Sequence, residues 1–204
     1  MEFDFTEEGL REWQGNRGKE INIEELRVKC QNRMSNAQGQ HFEREIIAGC
    51  GRYKDLGVAV IDKTPEPFRV IKKNQNGVFT GRFTALAQPD FQGTLKNGRS
   101  IVFEAKQTMK DRIRRNVLTD TQMQALEVHE GLGAVAAVCV SIGYGFYFIP
   151  WEVWRDMKDI YGHLYVTQDQ IKEYEVKFDG TVRFLEYKNK ATQEEMSESW
   201  GIRA

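Results

Sequence analysis

Asp90, Glu104 and Lys106 are the residues of this chain whose types and spacing could do chemistry. Two carboxylates and an ammonium gathered on one sheet face can hold Mg²⁺ beside a phosphodiester and position a water to attack it. That is the chemistry of a metal-dependent nuclease. The three residues stand in a stretch that reads strand, turn, strand, from Pro89 to Lys106, and whether they meet depends on register. A two-residue turn at Asn97-Gly98 would set Phe91 opposite Glu104 and Asp90 opposite Ala105, mixing charged and apolar residues on both faces. A three-residue loop, Lys96-Asn97-Gly98 with the glycine at positive φ, sets Asp90 opposite Glu104 and Phe91 opposite Phe103. This second register sorts the faces. It brings opposed Cβ atoms to roughly 4.5–5.5 Å, close enough for both carboxylates to share one cation. Lys106 then joins Glu104's face by the two-residue period of a strand, while Ile101, Phe103 and Ala105 turn to the other face and toward a helix. On an exposed edge such a charged set would be an ordinary solvated surface. The continuous apolar run Ile101-Val102-Phe103 instead points to an interior strand from which Glu104 and Lys106 emerge.

The elements that must position this hairpin can be read around it. Ser35 or Asn36 is suited to cap a helix in which Phe42, Ile46, Ile47 and Cys50 recur at helical spacing, ending near Gly51. Glu43 lies beside that stripe and is open to an ion pair with an arginine, to solvent, or to the site. Val58 to Ile61 reads as the first core strand. From Glu66 to Gln88 the chain reads as a hairpin around Asn76-Gly77 whose tip carries Lys72 and Lys73. Thr119 to Gln122 opens a further helix, with Gln122 as the capping-box partner of Thr119 and Leu118 and Met123 placed as a hydrophobic staple. Gly131-Leu132-Gly133 reads as that helix's stop. Ala134 to Ile142 and Gly145 to Ile149 read as apolar strands around a Gly143-Tyr144-Gly145 turn, and Pro150 suits the first position of a following helix. Strand, hairpin, strand, helix, strands is an α/β order with a mixed central sheet.

Pro89-Asp90 followed by Glu104-Ala105-Lys106 resembles the PD-(D/E)XK nuclease motif. Gly39-Gln40-His41-Phe42-Glu43, Gly57 to Lys63 with Pro65 and Pro67, and Phe103 to Thr108 further resemble the RecU-type Holliday junction resolvases of bacteria and their phages, over roughly Asn36 to Trp154. The resemblance implies a restriction-endonuclease-like core, a mixed central sheet flanked by helices, with residues 66–88 as a protruding stalk that enters the junction centre. It implies catalytic roles for Asp90, Glu104 and Lys106, with Gln122 and the helix-borne Glu43 beside them. Asp90, Glu104, the Ala105 carbonyl and Gln122 would hold Mg²⁺ or Mn²⁺. The implied activity is metal-dependent cleavage of four-way DNA junctions in recombination and repair, and two symmetric nicks imply a C2 homodimer. Recombination or branch-migration proteins are further expected partners. At one position the chain departs from the family: Gln88 stands where a threonine is usual. Two rival readings are another nuclease of the same superfamily, acting on ends or flaps, and a junction-binding protein with vestigial carboxylates.

With 204 residues and 40% hydrophobic content, the chain suffices for one well-packed domain and peripheral segments. We expect a nuclease domain over residues 35–190, an N-terminal arm over 1–34 and an acidic C-terminal tail over 191–204. No apolar run has membrane-spanning length and Met1-Glu2-Phe3-Asp4 is not a signal peptide, so a cytoplasmic protein without a membrane partner is expected. Cys30, Cys50 and Cys139 are odd in number and far apart, which suits neither a zinc site nor a disulfide framework, and the three histidines show no ligand spacing. No P-loop or dinucleotide fingerprint is present. The formal net charge of −1 conceals an uneven distribution. Residues 27–115 carry 18 Lys and Arg against 8 Asp and Glu, leaving 11 against 22 elsewhere. The basic half contains the candidate site, as a polyanionic substrate requires. Arg44, Lys72, Lys73, Arg82, Lys110, Arg112, Arg114 and Arg115 are the expected DNA contacts.

Overall fold

A computed structural model of the chain describes residues 23–65, 68–73, 78–83 and 88–202. The first element is α1 (Ile23–Asp55). The expected start at Ser35 or Asn36 is not a boundary: helix formers such as Glu24, Glu25, Leu26, Arg27 and Lys29 precede it and no proline interrupts the run. Its end also lies beyond Gly51, at a Schellman closure in which Val58 N–H bonds the Tyr53 carbonyl and Gly57 N–H bonds that of Lys54. That closure uses a left-handed residue, and Gly57 supplies it with φ +64°. Residues 1–38 form one unit and residues 39–204 a second. Within the second, Phe42, Ile46, Cys50 and Tyr53 make the buried stripe of α1, while Ile47 is exposed. Of the expected N-terminal arm, residues 1–22 lie outside the described residues, as does the Asn76-Gly77 hairpin tip.

There follow β1 (Ala59–Lys63), the hairpin β2 (Phe68–Lys73) and β3 (Phe79–Phe83), then β4 (Phe91–Leu95) and β5 (Ser100–Thr108). Next come β6 (Arg112–Arg114), a 3-10 turn (Arg115–Val117), α2 (Asp120–Gly131), β7 (Val135–Ile142) and β8 (Gly145–Pro150). Short helices α3 (Trp151–Arg155) and α4 (Met157–Tyr161) lead to β9 (Tyr165–Thr167), a 3-10 turn at Lys172–Tyr174, β10 (Val176–Phe178), β11 (Val182–Tyr187) and α5 (Lys190–Trp200). The central sheet has the order β1-β4-β5-β7-β8, parallel only between β5 and β7. This is the mixed α/β sheet expected. β1 is the first strand of this sheet, as expected, and lies at its edge, with Ala59 and Ile61 buried in the core and Val60 exposed. β2 and β3 pair as a separate two-stranded sheet, with Lys72 opposite Thr80 and Lys73 opposite Phe79.

The β4–β5 register is the three-residue-loop alternative. Phe91 pairs with Phe103, Thr94 with Ser100, and Gly98 takes φ +86° at the turn. The apolar face explains why. Phe91 and Phe103 are fully buried and stack with centroids 4.9 Å apart, and Phe148 and Phe184 close around Phe103. A slip by one residue would turn this whole set to the opposite face. β5 thus divides two cores, with Ile101 and Phe103 packed with α1, β11 and α5 on one side, and Val102 with Leu126 of α2 and Trp151 and Trp154 of α3 on the other. Every residue of β7 is buried between them. Cys50 and Cys139 are buried and unlinked in the first core.

Residues 190–200 are not a tail. Asn189 caps α5 by accepting from the N–H groups of Ala191 and Thr192, and Thr192, Met196 and Trp200 form a buried stripe at four-residue spacing. The helix also clamps the β4–β5 turn: Asn97 Nδ2 donates to the Trp200 carbonyl at 2.9 Å and Arg99 Nη1 to that of Ser199 at 2.6 Å. Pro150 is the residue before α3, ending β8, and not its first helical position.

Candidate active site

Asp90 lies one residue before β4, and its carbonyl accepts from Thr64 N–H at the end of β1. Its register neighbour on β5 is Glu104, and the carboxylates are drawn together by shared donors. Asp90 Oδ2 accepts from Ala105 N–H at 2.9 Å and from Lys106 Nζ at 3.4 Å, and Lys106 Nζ also reaches Glu104 Oε2 at 3.1 Å. The three residues singled out first in the sequence therefore meet. Glu104 is wholly buried, whereas the Asp90 side chain keeps 28% of its exposure. Burial, followed by the negative charge of Asp90, pushes the Glu104 carboxyl up from 4.5 to about 8, with Lys106 pulling the other way. Glu104 Oε1 is buried without a hydrogen-bond partner among the described residues. A carboxyl this dehydrated, with one oxygen unsatisfied and a second carboxylate beside it, needs added positive charge to ionise.

Gln122 completes the capping box expected of it and also reaches the site. Its Oε1 accepts from Thr119 N–H at 3.1 Å in a complete capping box, and its Nε2 donates to Glu104 Oε2 at 2.5 Å. Thr119 N–H fixes the amide orientation, because turning it over would set two donors against each other. The oxygen is thereby committed to the helix start and the nitrogen faces the carboxylate. Gln122 orients Glu104 and does not present an oxygen to a metal, unlike the ligand role the resemblance implied.

Glu43 forms an ion pair with Lys63, a residue opposite Phe91 in the β1–β4 register. It makes no bond to Asp90, Glu104 or Lys106 among those the described residues show. Lys63 ends the Gly57 to Lys63 stretch that carries the family resemblance, which implies no individual role for it. Its signal was its place at the end of the strand that runs beside Asp90, and that pairing spans twenty residues of sequence. Gln88, where the family usually has threonine, is exposed.

The expected DNA contacts fall in three places. Arg44 is exposed on α1, and Lys72, Lys73 and Arg82 are exposed on the β2–β3 hairpin. Lys110, Arg112 and Arg114 are exposed just beyond β5, with Arg115 half-buried. Arg112 is already engaged: Asp111 pairs with its guanidinium at 2.7 Å, and it lies 4.9 Å over the Tyr165 ring. No group of three or more His, Cys, Asp or Glu side chains placed to hold a metal occurs among the described residues, and no described helix is long and apolar enough to cross a membrane.

The family model for RecU, recombination protein U, matches residues 37–191. The chain belongs to the RecU family. Proteins named Holliday junction resolvase RecU from three strains of Streptococcus thermophilus are 34% identical to it over 92 residues, a stretch that is 42% of this chain and 46% of each relative. The chain thus matches just under half the length of these RecU proteins. Among solved structures, the Holliday junction resolvase Hjc of Archaeoglobus fulgidus is 12% identical with a TM-score of 0.42, over 69% of this chain and 92% of Hjc.

Proposed function

We propose that this RecU-family protein is a structure-specific endonuclease that resolves four-way DNA junctions by divalent-metal-dependent hydrolysis. The observation that carries the reading is the buried Glu104 with its unpartnered Oε1, set against Asp90 and Lys106 at adjoining ends of two paired strands. The donor set fits a hard cation: carboxylate oxygens of Asp90 and Glu104, and the Ala105 carbonyl on the strand edge where the Ala105 N–H already meets Asp90. With only two carboxylates, such a cation keeps most of its waters, as Mg²⁺ or Mn²⁺ does. When bound, the cation would polarise the scissile phosphate and acidify an attacking water.

The chain's own residues supply the rest. Asp90 and Glu104 would hold the cation, and Gln122 holds Glu104 in one orientation. Lys106 bridges both carboxylates and lies beside the place the scissile phosphate would take. There it orients the nucleophile and offsets charge on the pentacovalent transition state. In-line attack leaves 5′-phosphate and 3′-hydroxyl ends. Symmetric nicking of a four-way junction needs two such sites, hence a C2 homodimer. The exposed hairpin β2–β3, with Lys72, Lys73 and Arg82, suits recognition of branch shape over base sequence. Such a protein works where DNA is recombined, in the cytoplasm, alongside recombination or branch-migration proteins.

A labelled mobile junction incubated with the protein, with and without Mg²⁺, tests this. Paired, symmetric nicks that depend on metal are the expected result. Faster attack on linear ends or flaps would replace the resolvase reading with an end- or flap-processing nuclease. Junction binding with no cutting under any divalent metal would leave a binding protein.

A further inference from the structure

Thr64 directly follows β1 and carries that strand's pairing with β4 one step further. Its N–H donates to the Asp90 carbonyl at 2.8 Å, in line with the Lys63–Phe91 pair before it. Side chains alternate along a strand. Lys63 turns to the α1 side, where it pairs with Glu43, so Thr64 turns to the opposite side, the one that carries Asp90 and Glu104. Thr64, Asp90 and Glu104 therefore form one row across three neighbouring strands.

The outer members of this row each hold an orphaned oxygen. Thr64 keeps only 9% of its exposure, and its Oγ1 is buried without a hydrogen-bond partner among the described residues, as is Glu104 Oε1. A buried hydroxyl without a partner is a standing cost that a valine of the same shape avoids. Asp90, between the two orphans, is served from one side. Among the described residues, the donors to its carboxylate, Ala105 N–H and Lys106 Nζ, both belong to β5. Opposed Cβ atoms on paired strands lie roughly 4.5–5.5 Å apart, so a change of Thr64 rotamer brings its hydroxyl within hydrogen-bond reach of the Asp90 carboxylate. A carboxylate offers about four acceptor sites, enough for the β5 donors, a cation and a hydroxyl together.

We propose that Thr64 is a positioning residue of this site, its hydroxyl donating to the Asp90 carboxylate when a divalent cation is bound. It then holds Asp90 from the β1 side as Gln122 holds Glu104 from α2. In the metal-free protein the bond is unmade and the hydroxyl adds nothing to stability. In the cation-bound protein the bond is made and strengthens cation binding. The role needs only a turn of one side chain, and no ligand has to reach the buried oxygen. The inference rests on the metal-dependent reading above and deepens it.

The test compares Thr64→Val, which keeps the shape and removes the hydroxyl, with Thr64→Ser, which returns it. In urea without metal, Thr64→Val should be at least as stable as the unsubstituted protein. Titration with Mn²⁺, followed by the paramagnetic resonance of the free ion, should show about tenfold weaker binding in Thr64→Val and near-normal binding in Thr64→Ser. At limiting Mn²⁺, kcat for junction cleavage should fall with the affinity while KM for the junction stays the same. Unchanged Mn²⁺ affinity in Thr64→Val, or a serine variant no better than the valine one, overturns the role. So does unfolding of metal-free Thr64→Val at lower urea, or its failure to fold, because either shows a bond already made without the cation. A protein that binds Mn²⁺ but cuts no junction sinks the resolvase reading alone, and the titration still decides Thr64. One that does not bind Mn²⁺ loses both.

Discussion

The two faces of β5 solve opposite problems with alternate residues of one strand. On one, Ile101 and Phe103 are fully buried against aromatic and aliphatic partners from both ends of the chain. On the other, buried Val102 is followed by the equally buried carboxyl of Glu104 and then by Lys106. The first face gains from every contact; the second holds a carboxylate where water cannot reach it. The pairing teaches how a strand keeps a costly ionisable group in place. Stacked Phe91 and Phe103 fix the register from behind, so Asp90 and Glu104 stay opposed although Asp90's charge disfavours ionisation of Glu104.

The widest separation between the faces comes from removing the charges. Asp90→Asn or Glu104→Gln should lower junction cleavage by at least about 10³-fold, with a urea midpoint no lower than that of the unsubstituted protein. A loss of folding equal to the loss of activity would erase the distinction. Phe103→Ala attacks the other face and should cost about 3–5 kcal/mol in urea denaturation. Activity per folded molecule should also fall, because the register is no longer pinned.

A pH series sharpens the contrast. Glu104 titrates near 8 in the folded protein against an ordinary 4.5, so the folded state binds its proton more tightly than the unfolded state does. Without metal, Glu104's contribution to stability is therefore full below about pH 4.5 and is lost as pH rises toward 8. Thermal melts should show that slope, and Glu104→Gln should flatten it. By the same linkage, calorimetry in buffers of different ionisation enthalpy should show up to about one proton released per Mg²⁺ bound near neutral pH. Gln122→Ala should have a smaller effect, about 1 kcal/mol of stability from the lost capping box and about tenfold in cleavage from the loosened Glu104. Smallest is the difference between two neighbouring cations. Lys110→Ala should reduce the salt dependence of junction binding by about one counterion, while Arg112→Ala, already paired with Asp111, should change it less.

What the sequence revealed and what it concealed divide along similar lines. The β4–β5 register was legible because one alternative sorts Phe91, Phe103 and Asp90, Glu104 onto separate faces and the other does not. The capping box of Thr119 and Gln122 was legible because it is local. Its reach to the site came only through the family resemblance, and its bond to Glu104 not at all, since Glu104 lies 18 residues away and only the tertiary fold brings it under the helix start. The Glu43–Lys63 pair escaped for the same reason. α5 looked like a tail because its buried stripe is narrow, with Met196 and Trp200 its only large apolar members among glutamates and serines. α1 was begun too late because Ser35 and Asn36, good caps in isolation, are tolerated inside a run of strong helix formers.

The clamp on the β4–β5 turn has a temporal meaning. Asn97 and Arg99 find their carbonyl partners 103 and 100 residues further along the chain. A ribosome releases Asp90, Glu104 and Lys106 long before it releases the helix that fastens the turn between them. During synthesis the candidate nuclease hairpin is therefore complete in sequence but not yet fastened, and its closing bonds await nearly the last residues described here.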